Sequence, residues 1–360
     1  MNKLDPFEER KKDHIKWALD SQTQNLASTD LGKIQLKHHA LPDFNFSDVS
    51  LKTQIFKHSF SSPHFVSSMT GGHEQGFKIN SILASACEEQ GWLFCVGSQR
   101  KELDHAAMAR SEWLQIKEQF PKVQLLSNIG IEEVIQYPAD QIIQLARQIE
   151  AVGLIIHLNP LQELFQKKTA NFKNAKSALA LLIKKSKVPV VVKEVGFGLS
   201  PQLVRDLFKM GVSAVDLSGR GGTHWGKLEV LRNPQMQDEF QDSLSAFDTW
   251  GYSNVEILLQ TSTALLKKNI WASGGVRSGV DSAKYLALGA KAVGIAQPMM
   301  KWALQDLADS DEQLSNRNVL AGMKRFDFEL RTALFCTGML SSKSMSESRA
   351  RGKKVWYESK

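Results

Sequence analysis

The chain has 360 residues, 42% hydrophobic and 23% charged, a composition that excludes a disordered or fibrous polypeptide and permits two average domains or one large barrel with extensions, with a sizeable core. No run approaches the ~18 apolar residues of a membrane span, and the leader "MNKLDPFEERKKDH" lacks the apolar centre of a signal peptide, so a cytoplasmic protein without membrane contact is expected. The net charge is +7, but Lys and Arg are dispersed over runs such as "IKKSKV" and "LLKKN" without aromatic interleaving, which argues for solvated helix faces and an anionic small molecule rather than nucleic acid.

Residues 1–60 read as an N-terminal extension. Eight short apolar runs follow: "HFVSSM" (64–69), "WLFCVG" (92–97), "VQLLSNIG" (123–130), "GLIIHLN" (153–159), "VPVVVKEV" (188–195), "AVDLSG" (214–219), "IWASGG" (270–275) and "AVGIAQP" (292–298). Amphipathic segments such as "NSILASACEEQG" and "PQLVRDLFKMG" lie between them and end in Gly91 and Gly211, as helix C-termini often do. Near-continuous apolar strands alternating with helices imply a parallel sheet covered on both faces, and eight units imply an α/β fold of the (β/α)8 TIM barrel type, here over residues 61–305. A doubly wound sheet is the alternative, but it carries its glycine-rich turn after the first strand. Here the glycines lie at the sixth, seventh and eighth units instead. Residues 220–255, with Trp225, Trp250 and Tyr252, read as a long loop and candidate lid. Residues 306–360 read as a C-terminal helical tail with a mobile polar end. Cys87, Cys95 and Cys336 form no C-x-x-C pair and read as thiols in a reducing compartment.

In such a barrel the active site lies at the C-terminal ends of the strands. The ends carry Ser68, Met69 and Thr70; Ser98, Gln99 and Arg100; Ser127 and Asn128; His157, Asn159, Gln162 and Glu163; Lys193 and Glu194; Ser218; Ser273 with Gly274, Gly275, Val276 and Arg277; and Ala296 with Gln297. Buried polar groups need partners, and eight polar strand ends in one barrel point to a shared ligand. Strand alternation puts His157 and Asn159 on one face and Leu158 on the other. "SGRGGTHW" and "ASGGVRSG" leave backbone N–H groups free to approach an anion, where barrel phosphate sites form. Lys193, a cation at the end of a buried strand, suits the electron-rich edge of a flavin, and Thr70, Ser98 and Asn128 offer hydrogen bonds to a planar heterocycle.

"RKKDHI", "SSMTGG", "VGSQR", "SNIG", "HLNPLQE", "VKEVGFG", "DLSGRGGTHW" and "ASGGVRSGVDSAKYLALGA" together resemble the FMN-dependent type 2 isopentenyl-diphosphate Δ-isomerases, from residue 10 to about 300. The resemblance implies FMN contacts at Ser68, Met69, Thr70, Ser98, Asn128, Lys193, Ser218 and Thr223. It puts the flavin phosphate at Gly274, Gly275, Val276, Arg277, Ala296 and Gln297. The substrate diphosphate falls to Arg10, Lys11, His14, Ser98, Gln99, Arg100, His157 and Asn159. Gln162 meets the reacting alkene end, Glu163 binds Mg2+, and Gln162, Lys193 and His157 are the catalytic candidates. The implied cofactors are reduced FMN, NAD(P)H as reductant and Mg2+, and the implied assembly is a homo-oligomer, a tetramer or octamer. Arg220 and His224 stand where the family commonly has small or polar residues, and Gln297 where arginine is frequent. The alternative on the same barrel is an FMN-dependent oxidoreductase.

Overall fold

The structure, a computed structural model, describes residues 6–25, 27–71, 74–104, 111–309 and 314–359, with side chains throughout except at 6–12, 104 and 241. All eight expected strands are present: β1 (His64–Val66), β2 (Leu93–Cys95), β3 (Leu125–Gly130), β4 (Gly153–Leu158), β5 (Val190–Glu194), β6 (Ala214–Asp216), β7 (Ile270–Ser273) and β8 (Ala292–Ile295). They pair in parallel and in chain order, and β8 closes onto β1 through Val293↔His64, Gly294↔Phe65 and Ile295↔Val66.

The strands read as unbroken apolar runs because both faces are buried. Phe65, Leu93, Cys95, Leu126, Ile155, Val191, Ala214, Trp271 and Ala292 pack inside the barrel. Their neighbours Val66, Phe94, Leu125, Ile156, Val192, Val215, Ala272 and Val293 belong to the core under the helices. This is period-two alternation with no polar side to spare. A hairpin, Thr53–Ile55 with His58–Phe60, plugs the N-terminal end, adding Ile55, Phe56 and Phe60 to the inner cluster. The C-terminal ends are left open for a ligand.

Two expectations need correcting. Residues 220–255 are not one long loop but hold two helices, Trp225–Leu231 and Pro234–Ser245. His224 caps the first, its Nδ1 accepting from the Lys227 amide at 3.0 Å, and Asn233 caps the second with Pro234 at its start. Val230 and Leu244 pack with Leu161, Phe165 and Phe197 over one edge of the barrel mouth. The polar tail is also fixed in place. After helices Arg317–Phe335 and Ser342–Ser348, the strand Trp356–Glu358 pairs antiparallel with Ile34–Leu36 of the extension. Trp356 is 2% exposed, and Arg349 donates to the Leu258, Leu259 and Leu288 carbonyls at helix ends. Apolar anchors and carbonyl bonds thus hold a segment whose composition alone suggests mobility. Cys87, Cys95 and Cys336 are free thiols, and among the described residues no helix is long and apolar enough to cross a membrane.

Candidate active site

The C-terminal strand ends converge on one cavity. Ser68, Met69 and Thr70 enter it after β1, Ser98 and Arg100 after β2, and Asn128, His157 and Lys193 from β3, β4 and β5. Ser218 and Thr223 follow β6, Gly274 to Arg277 follow β7, and Ala296 and Gln297 follow β8. The helix Pro6–Leu19 crosses the mouth and contributes His14, Ile15, Ala18 and Leu19. It is tied down by Thr223 Oγ1 and Gln297 Nε2, which donate to the Ala18 carbonyl at 3.2 and 3.1 Å. Gln297 therefore spends its side chain on holding the extension. Arg10 and Lys11, as side chains, lie outside the described residues.

One wall is lined by hydroxyls and glycines. The hydroxyls of Ser67, Ser68 and Thr70 are buried and make no hydrogen bond. Unpaired buried donors are costly, and three within four residues suit a polar, planar ligand. On the far side of β8, Gly274 (φ 100°) and Gly275 (φ 72°) turn the chain after β7. A Cβ at Gly274 would stand 2.1 Å from the Gly219 carbonyl oxygen, and one at Gly275 2.6 Å from that of Gly221. Only glycine allows this approach. The Arg277 and Ser278 amides both donate to Asp281 Oδ2, at 2.9 and 3.1 Å. That bond narrows the expected anion cradle to the amides before Arg277.

Lys193 is 6% exposed and its Nζ donates to the Glu194 carbonyl oxygen at 2.5 Å. It lies in register with Asp216 of β6. Burial pushes the Asp216 carboxyl up, against the charge of Lys193 and the Ser273 hydroxyl, which lies 2.9 and 2.8 Å from the two carboxylate oxygens. Burial also pushes Glu194 up, to about 7, although one of its oxygens accepts from the Val195, Gly196 and Phe197 amides at 2.6–2.7 Å. Lys193 is thus a cation fixed in the floor between two buried carboxyls.

The other wall is charged. His157 Nδ1 donates to Asn128 Oδ1 at 3.0 Å, and Asn128 Nδ2 donates to the Val96 carbonyl at 3.1 Å, which holds the imidazole in one orientation. Asn159 Nδ2 donates to Gln162 Oε1 at 3.2 Å and to Glu163 Oε1 at 3.0 Å. Arg100 Nε pairs with Glu133 Oε1 at 3.1 Å, and burial pushes the Glu133 carboxyl up against that charge. Gln162 Nε2 donates to Glu229 Oε1 at 2.9 Å. The same oxygen meets His14 Nε2 at 3.0 Å, and Arg232 holds the second oxygen.

Gln99 departs from expectation. Its side chain is buried between the Ser127 hydroxyl and Glu102, donating to Glu102 at 2.8 Å, and does not line the cavity. A buried amide between two polar groups is satisfied where it is, so Gln99 orients β3 rather than reaching a ligand. Arg220 and His224 are structural too. Arg220 joins Asp30, Glu256 and the Gly251 carbonyl. His224 caps its helix and donates to the Phe247 carbonyl at 2.9 Å, and burial lowers its pKa. Sequence reasoning missed Ser67, Glu133, Asp216 as the partner of Ser273, and above all Glu229. The signal for Glu229 was "WGKLEVL", a helical pattern with one acid between Leu228 and Val230, hidden by reading the segment as a loop.

The chain matches the FMN-dependent dehydrogenase family over residues 135–351. A Bdellovibrio bacteriovorus protein named isopentenyl-diphosphate delta-isomerase is 41% identical over 348 residues, covering 95% of this chain and 97% of its own. One of the same name from Legionella pneumophila is 40% identical over 338 residues, 94% of this chain and 96% of its own. A third, from Oceanobacillus iheyensis, is 33% identical over 343 residues, 94% and 95% respectively. Among solved structures, mandelate oxidase with benzoyl-formic acid superimposes with a TM-score of 0.60 at 15% identity, over 94% of this chain and 92% of that one; this likeness is of fold alone. With identity of this order over nearly its whole length, the chain belongs to the isopentenyl-diphosphate delta-isomerase family and is an isomerase on an FMN-dependent (β/α)8 barrel.

Proposed function

We propose that the protein interconverts isopentenyl diphosphate and dimethylallyl diphosphate in isoprenoid biosynthesis, with reduced FMN as acid and base and Mg2+ holding the diphosphate. The observation that carries the flavin part is the trio of buried, unbonded hydroxyls at Ser67, Ser68 and Thr70 in the same cavity as the Gly274–Gly275 turn. Reduced FMN, when bound, supplies a proton donor and acceptor over the alkene without net oxidation or reduction. Ser68, Thr70, Ser98 and Ser218 hydrogen-bond the heterocycle, Lys193 neutralises its negative edge, and the amides of Gly274 to Val276 and Ala296 meet its phosphate.

Arg100, His14, His157 and Asn159 bind the diphosphate through charge-assisted and neutral hydrogen bonds. Gln162, held by Glu229, orients the alkene end. Among the described residues no group of three or more His, Cys, Asp or Glu could hold a metal by itself. Mg2+ needs only one or two carboxylates when phosphate completes its shell. Glu163 suits that role, because its hard Oε2 is buried and already meets a cation, the Lys167 ammonium at 2.5 Å.

The test is an anaerobic assay with isopentenyl diphosphate, FMN and Mg2+, with dithionite or NAD(P)H as reductant. Dimethylallyl diphosphate should form only with reduced FMN, with NAD(P)H consumed as a primer in far less than one equivalent per turnover. Turnover with air-oxidised FMN would remove the flavin from the acid–base role. NAD(P)H consumed one-for-one with product would favour an oxidoreductase.

A further inference from the structure

Glu132, Glu133 and Glu163 are three buried carboxylates on one wall of the mouth, where β3 and β4 end. Arg100 answers Glu133. A single ammonium, Lys167, answers the other two, with Nζ 2.7 Å from Glu132 Oε2 and 2.5 Å from Glu163 Oε2. Lys167 lies one turn beyond Glu163 on the helix Pro160–Lys167, so its reach to Glu163 is built into the helix. Glu132 is fixed independently, its Oε1 accepting from the Asn171 amide at 3.3 Å. Glu163 Oε1 is taken by Asn159. The oxygen left for a metal is therefore the one that Lys167 covers.

Resting on the reading of Glu163 as the metal ligand, we infer that Lys167 is a built-in counter-cation that covers Glu163 in the metal-free protein and withdraws to Glu132 when a divalent cation is held there. An ammonium and a divalent ion on one carboxylate oxygen repel each other strongly in a partly buried site. Leaving Glu163 without a second partner would strand the ammonium, and Glu132 removes that cost because the pair with it is already formed. The buried carboxylate is thus never left uncompensated, and metal affinity is set by a competition between Lys167 and the ion. Glu132, which touches neither metal nor substrate in this arrangement, becomes a positioning residue.

The test is Mn2+ binding to the full-length, FMN-loaded protein in the presence of inorganic pyrophosphate, read from the free Mn2+ signal by electron paramagnetic resonance. Lys167→Met should tighten Mn2+ roughly three- to tenfold, and Glu132→Gln should weaken it by a similar factor. The double variant should match Lys167→Met, because Glu132 acts only through Lys167. Lys167→Gln supplies the same comparison should Lys167→Met fold poorly. Loss of Mn2+ in Glu163→Gln, with no change in Lys167→Met and Glu132→Gln or shifts of the same sign, would overturn the counter-cation role and leave the metal assignment standing. Wild-type Mn2+ affinity in Glu163→Gln would remove both.

Discussion

Gln162 and Glu229 are joined by a 2.9 Å hydrogen bond from the amide Nε2 to the carboxylate, and Glu229 is fully buried. The acid has no water to share its charge with, so its three partners, Gln162, His14 and Arg232, settle both its ionisation and the direction of the Gln162 amide. The substitution Glu229→Gln removes the charge and leaves the amide free to flip. Turnover should fall about 10²-fold, as for a misplaced reacting group, while FMN affinity is unchanged. Steady-state kinetics beside a flavin-fluorescence titration would separate the two. Equal kcat in the variant would make Glu229 a packing residue only.

Acid stability should carry the same signature. Burial pushes the Glu229 carboxyl up, but the hydrogen bond and charge of His14 and the charge of Arg232 bring it down to about 2, from an ordinary 4.5. A folded pKa below the unfolded one stabilises the protein above the unfolded value and loses that contribution as pH falls through the folded value. The window is therefore pH 4.5 down to about 2, and the contribution is of order 3 kcal/mol. Urea melts of wild type and Glu229→Gln should converge as pH drops from 5 to 3. A constant gap over that range would contradict the assignment.

Lys193→Ala should weaken FMN binding by roughly ten- to a hundredfold, the scale of a hydrogen bond to a charged group, and should disfavour the reduced anion. It should also push the Asp216 carboxyl further up, since burial already raises it and Lys193 is its main charged support. Flavin fluorescence and a potentiometric titration measure the first two effects. Unchanged affinity and potential would remove Lys193 from the flavin edge.

Gly274→Ala puts a methyl group 2.1 Å from the Gly219 carbonyl in a backbone with φ of 100°. Both the strain and the clash move the turn, so stability should drop by about 1–3 kcal/mol and FMN affinity with it. Gly32→Ala, with nothing within 4 Å of the added carbon, is the control and should change neither. Thermal melts with and without FMN report both.

Truncation after residue 340 should destabilise the whole barrel rather than trim a mobile end. It removes Arg349 from the helix-end carbonyls and Trp356 from its pairing with Leu36. Arg349→Ala alone should cost about 2–4 kcal/mol, the loss of several charge-assisted bonds to buried carbonyls, with activity per folded molecule retained. A melting temperature equal to wild type would mean the tail is dispensable.

The barrel was legible in the chain because each strand is buried on both faces and each intervening helix on one. Those constraints write the apolar runs from "HFVSSM" to "AVGIAQP" directly into the residue order. The residues at the strand ends were legible for a related reason: a polar group such as His157 or Lys193 closing an apolar run is costly to bury unless a partner or a ligand meets it. What lies across the site was not legible. Gln99 and Ser98 are neighbours at one strand end, yet Ser127 and Glu102 turn Gln99 inward while Ser98 lines the cavity. Glu229 is 67 residues from Gln162, and only the packing of the helix Trp225–Leu231 against Pro160–Lys167 brings them together. In the residue order Lys167 is one more of the dispersed Lys and Arg side chains. It becomes the counter-charge of two buried carboxylates only because the helix Ile131–Gln136 after β3 delivers Glu132 to the same wall. Periodicity is local and survives in the residue order, whereas the partner of a buried charge is chosen by distance in three dimensions, which the order of residues does not contain.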